Sequence, residues 1–233
     1  MEDFIHHLLY GIYPYIALAI LAIGSIIRFD REPYTWRSGS SQLLRRKQLM
    51  VGSVLFHVGV LFIFVGHLVG LLTPIALFDA LGISHGAKQL LAIVAGGIAG
   101  VAAIIGATLL IHRRFFDPRV RAASNFSDNM IILILWVQLA LGLATIPLSA
   151  GHLDGHEMVK FMNWAQGIFT FQGDAASYIA DVHIIFKLHL FLGLTIFVLF
   201  PFTRLVHMLS APVRYLWRGG YQIVRSRKDL SHG

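Results

Sequence analysis

Cysteine is absent from all 233 residues. Without it the chain forms no disulfide, offers no thiolate to an iron–sulfur cluster, and cannot carry haem through the covalent C-x-x-C-H attachment. Charge is scarce as well: 13% of residues are Asp, Glu, Lys or Arg, against about a quarter in an ordinary soluble domain. Internal repeats and low-complexity tracts are also missing, which argues against the repeated architecture of many secondary transporters. What is abundant is apolar: 56% of residues are hydrophobic, and mean hydropathy is +0.69.

The apolar residues fall into five blocks near residues 10–28, 49–73, 88–111, 128–149 and 183–208, each about the 20 residues needed to cross roughly 30 Å of hydrocarbon. The expected fold is all-α: one integral membrane domain over residues 1–233, a bundle of five transmembrane helices. The net charge of +7 would suggest nucleic acid in a soluble protein. Here the basic residues flank apolar spans, so no nucleic-acid partner is expected. Arg28, Arg31, Arg37, Arg45, Arg46 and Lys47 lie in the first loop, Arg113, Arg114, Arg119 and Arg121 in the third, and Arg214, Arg218, Arg225, Arg227 and Lys228 in the tail. By the positive-inside rule these three regions are cytoplasmic, which puts the N-terminus outside and the C-terminus inside. Glu2 and Asp3 replace the basic start of a signal peptide, so the first span is expected to be retained. The connection 150–181 is expected to hold an interfacial helix near Glu157 to Phe169, with Trp164 at headgroup level.

Of twelve histidines, His57 and His67 lie inside the second block (LFHVGVLFIFVGH), and His189 and His207 inside the fifth (KLHLFLGLTIFVLFPFTRLVH). Polar groups at that depth are costly and usually functional, although one isolated histidine is equally well a hydrogen-bond partner for a neighbouring helix. Neutral imidazole binds haem iron, and two histidines on opposite faces fill both axial positions, leaving an electron carrier with no open site. Blocks two and five run antiparallel. If they face each other, His57 pairs with His207 and His67 with His189, holding an inner and an outer b haem, both non-covalent and bis-His, with these four histidines as axial iron ligands. One difficulty stands: at 1.5 Å per residue the first two histidines are separated by roughly 15 Å and the last two by roughly 27 Å, a mismatch that helix tilt, oblique haem planes or a kink at Pro201 can each absorb. Gly52, Gly59 and Gly66 share one stripe of block two and suit either a macrocycle or another helix; Gly96 and Gly100 read as plain helix packing. His183 is expected to be a decoy near the outer surface, and His6, His7, His85, His112, His152, His156 and His232 are expected to be solvated.

The sequence resembles the gamma subunit of respiratory nitrate reductase, a membrane cytochrome b. The resemblance runs through YPYIA, YTWR, SSQ, LFHVGVLFIFVGH, LLTP, RRFFDPRVRA, TIPLSAGHLDGHEM, FPFTRLVH and PVRYLWR, nearly the whole chain. It implies a bacterial inner-membrane protein partnered on the cytoplasmic side by an iron–sulfur beta subunit and a molybdenum-containing alpha subunit. It also implies that menaquinol or ubiquinol is oxidised near the outer haem, at Gly66, His67 and Lys88, and that electrons pass through the two b haems to the iron–sulfur partner for nitrate reduction. From composition alone Lys88 is a lysine snorkelling to headgroups; the resemblance makes it a quinol ligand.

The inner haem propionates are expected to meet cytoplasmic arginines, with Arg37, Arg113 and Arg204 as candidates; plain positive-inside anchoring explains the same residues. Two rival functions remain at the level of sequence. One is the cytochrome b subunit of another molybdenum or sulfur-metabolising reductase. The other is a haem-free proton-coupled transporter, which would ordinarily use acidic groups at depth, and none is expected there.

Overall fold

The computed structural model describes residues 2–36, 44–151 and 153–210, and every regular element among them is helical. Five helical runs are long and apolar enough to cross a membrane: α1 (Glu2–Arg31), α2 (Arg46–Leu72), α3 (His85–Phe116), α4 (Phe126–Ala150) and, beyond the shorter α5 (His156–Phe169), the run Ile184–Phe202, whose α-helical part is α6 (Ile184–Leu199). The chain is a multi-pass membrane protein. Leucine, isoleucine, valine, phenylalanine and alanine fill these helices on all sides, and large apolar residues such as Val54, Val58, Leu91 and Ile98 lie on exposed surfaces. That pattern suits helices solvated by lipid.

Polar punctuation ends the helices. Ser84 caps α3 by accepting from Ala87 N–H at 3.2 Å, His183 caps α6 by accepting from Ile185 N–H at 3.3 Å, and Thr73 with Pro74 closes α2 in extended conformation. These bonds satisfy backbone donors that a helix start leaves orphaned. His183, set aside as a ligand, is thus part of the backbone framework.

Small residues let α2 and α3 approach. A side chain at Gly59 would sit 2.6 Å from the Ala99 carbonyl and 2.8 Å from Ala103 Cβ, and one at Gly52 would lie 3.2 Å from the Gly106 carbonyl. Gly66, on the same stripe, would meet nothing within 4 Å. The stripe therefore divides: its first two glycines serve helix packing and its last is open. Gly100 packs on Leu143 of α4, whereas Gly96 meets nothing within 4 Å. Further along the bundle α3 packs on α4, α4 on α6, and α6 on α1.

Two features go beyond the sequence pattern. Trp164 is buried within the fold, and its indole donates to the Tyr10 carbonyl at 2.9 Å. Pro14 lacks the N–H that would reach this carbonyl four residues back along α1, so the indole satisfies an acceptor the helix leaves open. The fifth block, expected to run to 208, is regular helix only to Leu199. Two 3-10 turns follow, Phe200–Phe202 and Arg204–Ser210, joined through an extended Thr203. Pro201 is the local cause, and Arg28 of α1 secures the break by donating to the carbonyls of Pro201 at 2.7 Å and Thr203 at 2.8 Å.

Candidate functional site

Helix α2 packs on α3 and α5, and α6 on α1 and α4, but among the described residues α2 and α6 have little direct backbone packing. Histidine rings face each other across the interval between them. His57 and His207 have ring centres 6.1 Å apart at an interplanar angle of 70°, and His67 and His189 are 6.2 Å apart at 44°. These are the pairs that antiparallel parity predicts. The break after Leu199 removes the difficulty with their spacing. From His189 to Leu199 the helix advances ten residues, as α2 does between His57 and His67, and each stretch rises roughly 15 Å. The turns that follow bring His207 beside His57 instead of carrying it onward.

Hydrogen bonding sets the ring chemistry. Nδ1 of His57 lies 2.7 Å from the Ser53 carbonyl, Nδ1 of His67 2.8 Å from the Ile63 carbonyl, and Nδ1 of His207 2.5 Å from the Arg204 carbonyl. A carbonyl only accepts, so in each ring Nδ1 carries the proton and Nε2 keeps its lone pair, the form in which imidazole binds a metal. His189 is held differently. Gln138 of α4 donates to its carbonyl at 3.1 Å and lies 3.5 Å from Nε2, while Nδ1 is buried with no protein partner. The ring rests against Gly142, where a side chain would come within 3.0 Å of Cε1. A buried ring nitrogen without a partner calls for a bound group.

Haem fits this geometry. Two imidazoles on opposite sides of one metal, bonded at about 2 Å and each with its ring centre about 1 Å beyond the nitrogen, have centres about 6 Å apart. Among the described residues no three His, Asp or Glu side chains gather to hold a metal ion. Two ligands per site suit a group that brings its other donors with it, as a porphyrin does.

At the end of the bundle that carries α5, Lys88 is buried at 8% exposure. Its ammonium donates to the Gly70 carbonyl at 2.9 Å and to Met162 Sδ at 2.8 Å, and it sits 3.8 Å from the centre of the Phe78 ring. The snorkelling alternative fails, because the side chain turns inward. Gly66 and His67 lie one turn before Gly70 on α2, so the three expected quinol residues border one region.

At the opposite end Arg204 and Arg114 both approach Asp128, at 3.6 and 3.5 Å. Arg113 is buried and donates to the Leu44 carbonyl at 2.7 Å. Arg204 adjoins the inner pair through the carbonyl that accepts from His207. Arg37 lies outside the described residues. Several histidines expected to be solvated have partners: His6 lies 2.8 Å from the Ala176 carbonyl, His85 is 3.5 Å from Asp79, and His112 is 3.2 Å from Gln48. His152 and His232 also lie outside the described residues. Sequence reasoning missed Gln138 and Met162; both sit on helices packed against the site, and neither residue type signals a role without its neighbours in view.

Fold and site together define a helical membrane protein that carries, between its helices, two facing histidine pairs suited to non-covalent redox groups. Residues 6–227 match the family model described as nitrate reductase gamma subunit. The chain is 50% identical to the respiratory nitrate reductase 1 gamma chain of Escherichia coli (strain K12), over 97% of this chain and 99% of that one. It is 39% identical to the nitrate reductase gamma chain of Bacillus subtilis (strain 168), over 94% and 98%. The chain belongs to the nitrate reductase gamma subunit family and is thereby a membrane subunit of an oxidoreductase complex, with catalysis carried by another subunit.

Proposed function

We propose that this chain is the quinol-oxidising cytochrome b subunit of a respiratory nitrate reductase, holding one b haem between His57 and His207 and a second between His67 and His189. The observation that carries this reading is the pair of ring separations, 6.1 and 6.2 Å, together with three imidazoles whose Nδ1 protons are tied to backbone carbonyls. Bound at these pairs, haem supplies reversible one-electron chemistry with no open coordination position, so it carries charge without binding oxygen or substrate.

The chain's own residues do the rest. Lys88, His67 and Gly66 form the quinol site. The Lys88 ammonium donates to a quinol oxygen and stabilises the negative charge that develops as protons leave, and Gly66, with open space where a side chain would stand, leaves room for a flat ring. Arg113 and Arg204, with Arg37, offer cationic partners to the inner propionates.

The arginine-rich loops mark the inner face, where an iron–sulfur beta subunit and a molybdenum-containing alpha subunit dock. The N-terminus is outside, and the quinol is menaquinol or ubiquinol. The experiment is to add quinol to membranes containing the assembled complex and follow the b-type absorbance. Reduction by quinol, reversed on adding nitrate, is expected; absorbance that dithionite reduces and quinol does not would overturn the quinol reading.

A further inference from the structure

Three partners hold the Lys88 ammonium, and they are unequal. The Gly70 carbonyl at 2.9 Å is a fixed backbone acceptor of α2, and the Phe78 ring at 3.8 Å attracts through its face. The third, Met162 Sδ at 2.8 Å, is a thioether, a weak acceptor. Met162 itself is 1% exposed, and its helix is tied down in the turn that follows it. Gln166 donates to the carbonyls of Leu71 and Thr73 at 3.1 and 3.0 Å, and Trp164 donates to Tyr10. The sulfur therefore stands at a fixed place on α5, opposite a buried lysine of α3.

An ammonium has three donors and no acceptor, and in a site without quinol each donor needs an outlet. A carboxylate there would hold the lysine too tightly to release it. An aliphatic side chain would leave it free to turn.

We propose that Met162 is a positioning residue for the Lys88 ammonium: its thioether keeps the lysine head directed into the quinol site and gives way when a quinol oxygen, a stronger acceptor, arrives. This rests on the reading of Lys88 as a quinol residue.

Two substitutions of similar size separate positioning from packing. Met162→Gln places a stronger acceptor near the sulfur position and is expected to compete with quinol, raising KM roughly tenfold with kcat within about twofold. Met162→Leu conserves volume but offers no acceptor, and is expected to lower kcat several-fold with KM little changed. Both are measured with a soluble naphthoquinol in membranes containing the whole complex, alongside Lys88→Ala, with the b-type spectrum used to verify assembly. Wild-type kinetics in both Met162 variants, with Lys88→Ala defective, would overturn the positioning role and leave the quinol site standing. Wild-type KM and kcat in Lys88→Ala would overturn both.

Discussion

Arg28 reaches from the end of α1 to the break after α6 and donates to the Pro201 carbonyl at 2.7 Å, with Thr203 at 2.8 Å and Thr35 at 3.1 Å as its other acceptors. Those carbonyls have lost helical partners where the chain turns, and one guanidinium satisfies them together. Because His207 lies just beyond the break, Arg28 sets where the inner pair closes. Arg28→Gln is expected to cost about 2 kcal/mol, the scale of a hydrogen bond to a charged donor, and to loosen the inner pair first. On heating the variant, b-type absorbance belonging to the His57/His207 site should be lost at lower temperature than that of the outer site. Simultaneous loss of both would show that Arg28 acts on the bundle as a whole.

Gly59 and Gly66 occupy one stripe of α2 and should respond oppositely. At Gly59 an added Cβ meets the Ala99 carbonyl at 2.6 Å, backbone that cannot move aside, so Gly59→Val is expected to destabilise the protein by about 1–3 kcal/mol. Gly66→Ala meets nothing within 4 Å and should leave thermal stability unchanged while raising KM for quinol. Detergent-solubilised unfolding curves and quinol kinetics on the two variants check this directly.

Acid should release the segment between α5 and α6 before it melts the bundle. Lys160 donates to Asp181 at 2.7 Å and to Glu157 at 3.0 Å, which holds the Asp181 carboxyl below its usual range and raises the Lys160 ammonium above its own. A depressed carboxylate contributes stability above its ordinary value of about 3.9 and loses it as pH falls through the lowered one. The raised lysine contributes below its ordinary value of about 10.4 and loses that as pH rises through the raised one. The tether thus holds from mild acid to about pH 10. Protection against hydrogen exchange in residues 170–183, taken relative to the intrinsic rate at each pH, should fall as pH drops below the ordinary carboxylate value of about 3.9 in the wild type, and in Lys160→Met should be lower at neutral pH with a weaker acid dependence.

Much of this architecture is legible in the residues because lipid imposes simple rules. Five apolar runs give five helices, and helix parity pairs His57 with His207 and His67 with His189 once the second and fifth runs are taken to face each other. What the pattern hides is satisfied by partners distant in sequence. Pro201 marks a break, but its extent depends on Arg28, which stands 173 residues away. Trp164 reads as an interfacial tryptophan, but its indole partner, the Tyr10 carbonyl on α1, is invisible in the pattern. Lys88 at a helix start looks like a headgroup anchor until Gly70, Phe78 and Met162 are seen around it. In each case a backbone or side-chain polar group finds its partner on another helix, and no local periodicity carries that information.

The account rests on two haem-binding pairs, so the most direct measurement is a pyridine haemochrome count on the purified chain and on its His57→Ala and His67→Ala variants, with reduced-minus-oxidised spectra of each. Two b haems per wild-type chain are predicted, with each variant retaining one and the two residual spectra differing. A folded wild-type chain that binds no haem, or variants that each keep both, would contradict it and return the four histidines to a proton-relay role.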